Sequence, residues 1–307
     1  MRNGRQRLSA ADRDRLRRAR GGPTVATRSV FGPDTVTWRV NREAVLLLGG
    51  GRALLMQVAH PLVAAGVAAH SDFERQALRR LWRTLDAMLT ITFGGAASAM
   101  RAVHGIERIH ARVHGVLDAD LGPFERGTRY DAEDPQLLLW VHATLVDTAL
   151  QVHRLCVQPL SAHDERRYYD ESKVVGRLLG IPNALLPPTL AAFREYVDSM
   201  INGDLLAVGP ASRDIAASIL SPPVATALKP IFQVANAFTV GLLPPVLRAR
   251  YGLRWDAGRE AAFRLLIATI RRLLPHLPGA VRYLPHARRA ALREGTPRPS
   301  LQRDEEP

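Results

Sequence analysis

The segment DPQLLLWVHATLVDTALQVHRLCVQ, residues 134–158, decides the fold of this chain. Its apolar residues recur at the i, i+4, i+7 spacing of one buried helix face, which gives the stripe Leu138, His142, Leu145, Ala149, Val152 and Cys156. His142 therefore lies in the middle of an apolar stripe. His153 returns to nearly the same side of the helix about 16 Å further along its axis. A helix this apolar is expected at the centre of the molecule.

The sequence on both sides of this segment has the same helical periodicity. The apolar spacing predicts eight further helices, over about 50–69, 73–92, 96–115, 162–179, 189–202, 211–220, 224–240 and 257–274. Glycines and prolines separate these stretches, and no long stretch alternates with the period of two that a strand requires. The predicted fold class is all-α. We expect one domain over residues 30–285, a flexible basic arm over 1–29 and a disordered tail over 286–307.

The positive charge of the chain is concentrated at its N-terminus. Residues 1–29 contain nine arginines and two aspartates, whereas residues 30–285 carry only +5 of the net charge of +13. Nucleic-acid binding needs a dense basic footprint. No nucleic-acid partner is therefore expected for the body of the protein.

Several features predict a cytoplasmic protein without an integral membrane segment. The one cysteine, Cys156, excludes an intrachain disulfide and fits a reducing compartment. Arg17-Arg18 is not followed by the apolar stretch of a secretion signal. The apolar segment 44–69 is interrupted by the glycines at 49–51 and by His60-Pro61, so it does not read as a membrane span.

Histidines dominate the candidate site. A buried imidazole needs a hydrogen-bond partner or a metal. His142 is therefore either a hydrogen-bonded core residue or a metal ligand. His60 and His70 enclose the small residues of 64–69, which would admit either a neighbouring helix or a flat cofactor.

A second candidate group lies in RRLWRTLD, residues 79–86. Arg80 and Thr84 are i, i+4 neighbours on the predicted helix, with Arg83 beside them. This face is either a solvated, arginine-rich surface or a wall that presents a cation and a hydroxyl to a site.

These motifs resemble a known oxygenase family. HPLVAAGVAAHSDF (60–73) and WVHATLVDT (140–148), with segments 159–182 and 241–255, are similar to the bacterial latex clearing proteins. The same family includes the fungal oxygenase that cleaves a farnesyl chain in mycophenolic acid biosynthesis, and many uncharacterised bacterial proteins. The resemblance covers roughly residues 30–285. It implies a single globin-like helical domain with additional helices, a haem b cofactor, and O2-dependent cleavage of an alkene in an isoprenoid.

The resemblance also implies an iron ligand. In latex clearing proteins the proximal histidine lies in a segment of the form Arg-x-x-His-Ala-x-x-Arg. Residues 139–146 match that segment, so His142 inherits the ligand role. Leu139 and Val146 replace the two arginines, which changes the expected contacts with the haem propionates.

On the distal side, Arg80-Leu81-Trp82-Arg83-Thr84 is similar to the family's Arg-x-x-Lys-Thr run. This similarity implies that Arg80 and Arg83 lie at the cofactor and that Arg80 and Thr84 act on bound O2. Arg83 is not expected to ligate iron, because guanidinium stays protonated. No residue matches the catalytic glutamate of the latex enzymes. His60 or His70 would supply acid–base chemistry in its place.

The sequence thus predicts a haem-b-dependent, oxygenase-like protein that acts with O2 on a small apolar substrate, such as an isoprenoid or another alkene. Besides nucleic-acid binding, which would rest only on the N-terminal arm, two alternatives stay open at this point. One is a non-catalytic helical protein that binds haem or a lipophile. The other is a non-haem metal enzyme that uses His60, His70 and His142 with Asp147. Asp147 lies about 140° round the helix from His142, which disfavours a shared metal ion.

Overall fold

The computed structural model describes residues 29–69, 73–221 and 229–295, and gives side chains for all of these except 73–82 and 229–231. Most of the described residues are helical, and the all-α prediction is confirmed. The α-helices in this part of the chain are α1 Val36–Asn41, α2 Gly50–Val58, α3 Pro61–Ala69, α4 Phe73–Phe93, α5 Ala96–His110, α6 Pro135–Val152, α7 Ala162–Leu178, α8 Leu190–Asn202, α9 Pro210–Leu220, α10 Lys229–Leu242, α11 Pro245–Arg250, α12 Ala257–Leu273, α13 Gly279–Arg282 and α14 Pro285–Arg293.

Shorter elements connect these helices. A 3-10 helix over Ala44–Gly49 runs into α2, and another over Leu274–His276 continues α12. A π-helix over His153–Val157 continues α6. The strands β1 His114–Val116 and β2 Arg129–Asp131 form an antiparallel pair between α5 and α6.

The segment that decided the fold forms α6, at the centre of the molecule. The helix begins after Asp134, whose carboxylate accepts the amide N–H of Gln136, and Pro135 occupies the first helical position. Helices α2, α7 and α8 and the first 3-10 helix pack around it. Trp140, Ala143 and Val146 are buried as well as His142, so the helix is covered on more sides than the predicted stripe alone.

The predicted helix over 50–69 is two helices. The break falls at His60-Pro61, and the axes of Ala44–Val58 and Pro61–Ala69 differ by 105°. Proline lacks an amide donor and disfavours helical dihedrals at the preceding residue, so a helix stops there. Among the residues that the structure describes, no single helix is long and apolar enough to cross a bilayer; this bent pair reaches that measure only as a unit, by length and composition.

Two other boundaries differ from the sequence prediction. The helix expected over 96–115 ends at His110, because residues 114–116 pair with 129–131 instead. Part of the segment predicted as a tail is helical: in α14, Ala287 and Ala290 are buried against Trp38 and Phe93. These alanines give the helix one small apolar face, which is too short to stand out by periodicity. The division into arm, domain and tail otherwise stays a prediction.

Candidate functional site

His142 lies in the third turn of α6, and its side chain is only 4% exposed. Among the residues that the structure describes, neither Nδ1 nor Nε2 of its ring has a hydrogen-bond partner. Burial lowers the pKa of His142 from 6.5 to about 4, so the ring is neutral at pH 7. An imidazole that is neutral, buried and without partners is a polar group whose desolvation nothing in the described protein offsets.

The wall next to this ring comes from α7 and the loop that follows it. A methyl group at Gly176 would lie 3.3 Å from His142 Nε2 and 3.4 Å from Cδ2, and 3.1 Å from Cδ2 of Leu186. The Nε2 edge therefore faces a helix at the one position where that helix has no side chain. The neighbours named here are apolar, so they offer the ring neither a donor nor an acceptor.

Two other buried histidines are hydrogen-bonded. His60 Nδ1 accepts the amide N–H of Leu62 at 3.3 Å, and the ring lies 5.3 Å from that of Phe124 between centroids. Nδ1 of His153 lies 2.9 Å from the carbonyl oxygen of Gln158, so it carries the proton and donates. Burial lowers the pKa of His60 to about 4, against the opposing charge of Asp134. Burial likewise lowers the pKa of His153 to about 4, against the effect of its bond to Gln158.

The opposite side of α6 carries a polar network. Arg52 is 3% exposed, and its NH2 group contacts Asp147 Oδ2 at 2.6 Å. The same guanidinium donates to Thr148 Oγ1 at 2.5 Å and to the Leu242 carbonyl at 2.9 Å. Asp147 is therefore held in an ion pair with Arg52, away from His142. This arrangement further disfavours a metal site shared by these two residues.

The remaining predicted site residues are placed as follows. Arg83 and Thr84 are exposed on α4. Arg80 lies on the same helix, but its side chain is outside the described ones, and His70 is outside the described residues altogether. In the described ranges, no three His, Cys, Asp or Glu side chains lie close enough together to hold a metal ion.

His60 and His142 have different surroundings. The charge of Asp134, at the start of α6, acts on the pKa of His60, whereas burial alone lowers the pKa of His142. Their roles stay predictions.

Two features of this region were missed in the sequence. Gly176 is an isolated glycine within the helical pattern of 162–179, a position that usually has a packing or functional reason. The sequence therefore marked Gly176 as unusual, but it did not show that Gly176 contacts the ring of His142, 34 positions earlier. Arg52, which follows three glycines, has no sequence signal for burial.

The central helix of this all-α protein thus carries a buried histidine that has no hydrogen-bond partner among the described residues. Comparison with known families gives the class. A family model described as "ER-bound oxygenase mpaB/B'/Rubber oxygenase, catalytic domain" matches residues 38–272. The chain belongs to this family of oxygenases.

Individual relatives carry less information. An uncharacterised protein of Mycobacterium bovis and an uncharacterised protein of Mycobacterium tuberculosis are each 28% identical to this chain over 235 residues. Each match covers 73% of this chain and 88% of the relative. These relatives fit an uncharacterised bacterial branch of the family. No solved structure matches the chain.

Proposed function

We propose that this protein is a cytoplasmic, haem-b-dependent oxygenase that acts with O2 on a small apolar substrate, and that His142 is the iron ligand. Membership of the oxygenase family supports the reaction class. The observation that carries the ligand assignment is the pair of unpartnered nitrogens on the buried His142 ring.

The residues present fit a haem. A haem-binding histidine must be neutral, so that a lone pair is available for iron, and must keep its other nitrogen protonated. The lowered pKa of His142 meets the first condition at pH 7. At Gly176 the α7 backbone packs closely on the Nε2–Cδ2 edge of the ring, where an added side chain would crowd it. When bound, a histidine-ligated haem supplies the iron that activates O2.

The protein's own part is to hold the imidazole and to exclude water. His142 lies on α6, where fully buried Trp140 and Ala143 fix the adjacent backbone. Trp140 Nε1 donates to the carbonyl of Met56 at 3.1 Å, which ties α6 to α2. Apolar surroundings favour an apolar substrate, since they offer few polar groups for recognition.

The groups on the substrate side stay a hypothesis that follows from the family resemblance. Arg80 and Thr84 are proposed to act on bound O2, Arg83 to lie at the cofactor, and His60 or His70 to supply the proton transfer. His60 is suited to this role in one respect. It is neutral at pH 7, and because Nδ1 accepts a hydrogen bond, Nε2 carries the proton.

Hemin titration tests the ligand assignment. Wild type should bind one equivalent with a Soret band of a histidine-ligated iron, and His142→Ala should lose that band while far-ultraviolet circular dichroism stays unchanged. The matched control is His153→Ala, which removes another buried histidine from the same run of helix but one that already has a partner. Full hemin occupancy in folded His142→Ala would rule out this ligand, and a wild-type chain that takes up no hemin would rule out the cofactor.

A second experiment addresses the distal residues. CO binding and autoxidation of the hemin-loaded protein should change in Arg80→Ala and Thr84→Ala, because a cation and a hydroxyl stabilise the charge on iron-bound O2. Soret intensity per chain should stay near wild type. Arg79→Ala is the control, since position 79 lies about 100° from position 80 around the helix. Three indistinguishable variants would remove α4 from the distal side.

A further inference from the structure

Several large apolar side chains are exposed near the C-terminal end of the described chain. Leu265 is 69% exposed and Leu273 55%, both on α12. Leu277 and Val281, in the turn and the short helix that follow, are 36% and 61% exposed. We call these four side chains, together with Arg271 and Arg272, the α12 face.

The α12 face is a consequence of how α12 packs. Its inner side buries Phe263 and packs on α10 and on the π-helix. Leu265, Thr269 and Leu273 follow one another at intervals of four residues on the outer side, and all three are exposed. This spacing gives a line of side chains that extends about 12 Å along the helix and is inclined to its axis, because each step of four residues advances about 40° round the helix. An apolar line on the solvent side of a helix contributes nothing to the core.

The charge around this line has one sign. Residues 261–293 contain seven arginines and no aspartate or glutamate. Arg271 and Arg272 are exposed, and neither has an acceptor among the described residues. Arg264 and Arg282, by contrast, are paired with Glu260 and Glu43. Of these two cations, Arg272 lies beside the line of exposed residues, whereas Arg271 lies about 120–160° away from it round the helix.

We propose that the α12 face docks on the surface of an anionic lipid bilayer. A helix that presents leucines and arginines on its outer side lies in the interface, with the leucines among the acyl chains and the guanidinium groups at the phosphates. Isolated exposed leucines need no explanation, but a line of them beside the unpaired Arg272, on a segment that carries only positive charge, matches this environment in both polarity and charge.

Other occupants fit this surface less well. A second copy of the chain would bring one basic face against another, and like charges repel. The N-terminal residues 1–29 carry nine arginines against two aspartates, so they are repelled in the same way. The proposal rests on the exposed face alone and does not depend on the cofactor assignment.

Sedimentation with vesicles tests the proposal on the full chain. The wild type should bind phosphatidylcholine vesicles that contain phosphatidylglycerol and bind vesicles of pure phosphatidylcholine weakly. Leu265→Ser with Leu273→Ser should weaken binding by about tenfold or more, since the apolar contact is lost. Arg271→Gln with Arg272→Gln should weaken it by about fivefold for each charge removed.

Matched controls separate this face from general properties of the chain. Val116→Ser with Leu205→Ser removes two other exposed apolar residues, which are 58% and 42% exposed and lie near aspartates. Arg108→Gln with Arg112→Gln removes the same net charge from another surface. Both control pairs should bind like wild type. All four pairs replace exposed side chains, so circular dichroism and melting temperature should not change.

A fluorescent probe on the face gives a second readout. The one native cysteine, Cys156, is buried, and burial raises the pKa of its thiol to about 12, so it resists labelling. Thr269→Cys therefore labels selectively with an environment-sensitive dye, whose emission should shift to the blue on anionic vesicles. Each of the following results would overturn the proposal: no wild-type binding, leucine variants that bind like wild type, no blue shift, or leucine variants that change only the oligomeric state.

Discussion

The two sides of α6 treat buried polar groups in opposite ways. On the side toward α2, polar side chains are hydrogen-bonded to one another. Arg52 binds Asp147 and Thr148, and Gln57 Nε2 donates to Thr144 Oγ1 at 3.0 Å. On the side toward α7, the His142 ring has no hydrogen-bond partner among the described residues. Both sides are buried, so the difference does not come from exposure to water.

This contrast distinguishes the Arg52 network, which stabilises the fold, from the His142 ring, which adds no hydrogen bond to it. Burying a polar side chain costs free energy unless a partner compensates. The same core gives the buried guanidinium of Arg52 its hydrogen-bond acceptors. It also gives the buried rings of His60 and His153 a hydrogen-bond partner each. The unpartnered ring of His142 is therefore the observation that supports the proposal of a ligand role for this residue.

The largest expected effect comes from breaking the satisfied side. Arg52→Ala leaves Asp147 in a partly buried site without its cation and removes the donors to Thr148 and to the Leu242 carbonyl. Such a loss should lower the free energy of unfolding by about 3–5 kcal/mol, as measured by urea denaturation. Arg167→Ala removes an ion pair in which the arginine is 47% exposed, and should cost less than about 1 kcal/mol. Equal costs would show that the network does not hold the helices together.

Lowering the pH should reduce the stability of the hemin-free protein through the buried ring of His142. The pKa of His142 in the folded chain, about 4, lies below its ordinary value of 6.5, so the unfolded chain binds more protons between these values. The stability that this creates is complete above pH 6.5 and is lost as the pH falls toward 4. Without hemin, His142→Leu should lose about 2 kcal/mol less than wild type between pH 6.5 and pH 5. Parallel curves for the two proteins would contradict the burial of a titrating ring.

Replacing histidines by leucine at neutral pH tests the two kinds of site directly. His153→Leu leaves the Gln158 carbonyl without its donor and should cost about 1–2 kcal/mol in the free energy of unfolding. His142→Leu leaves no partner unpaired, so the stability of the hemin-free chain should be unchanged or slightly higher. A comparable loss at both positions would mean that His142 has a partner in solution.

The smallest expected effect concerns two helix glycines. Gly176→Ala places a methyl group 3.3 Å from His142 Nε2, and should lower stability by about 1 kcal/mol and weaken hemin binding. Gly105→Ala, on α5, meets no atom within 4 Å and should raise stability by up to about 1 kcal/mol. In the His142→Ala background the cost of Gly176→Ala should fall but not vanish, because the ring is gone while Leu186, 3.1 Å from the added methyl group, stays. An unchanged cost there would assign the crowding to Leu186 alone.

The features that the sequence predicts well are those that depend on residues close together in the chain. The long helices were predictable because their apolar period is local, and the central place of α6 followed from its composition. The proline at His60-Pro61 was used only as an argument against a membrane span, and the division of the predicted helix 50–69 into two helices was not predicted from it. The 114–116 strand was missed because its partner lies beyond a turn of a dozen residues.

The candidate site divides in the same way. His142 was identified from its place in an apolar stripe, together with the family resemblance. Whether a buried histidine has a partner depends on what another segment brings next to it, here Gly176 and Leu186, and no local pattern encodes that. The same reason explains why the burial of Arg52 was not foreseen, since its three partners come from positions 95 to 190 residues away.

The bond from Arg52 to the Leu242 carbonyl also has a consequence during synthesis of the chain. Helices α2 and α6 can meet once residue 152 has left the ribosome, but one donor of Arg52 lacks its acceptor until residue 242 follows. The carboxylate of Glu43 lacks its donor for longer, since its partner Arg282 lies 239 residues further along the chain. The N-terminal half of the protein therefore stays incompletely satisfied until nearly the whole chain has been made. A protein built in this way is expected to fold late and as one cooperative unit.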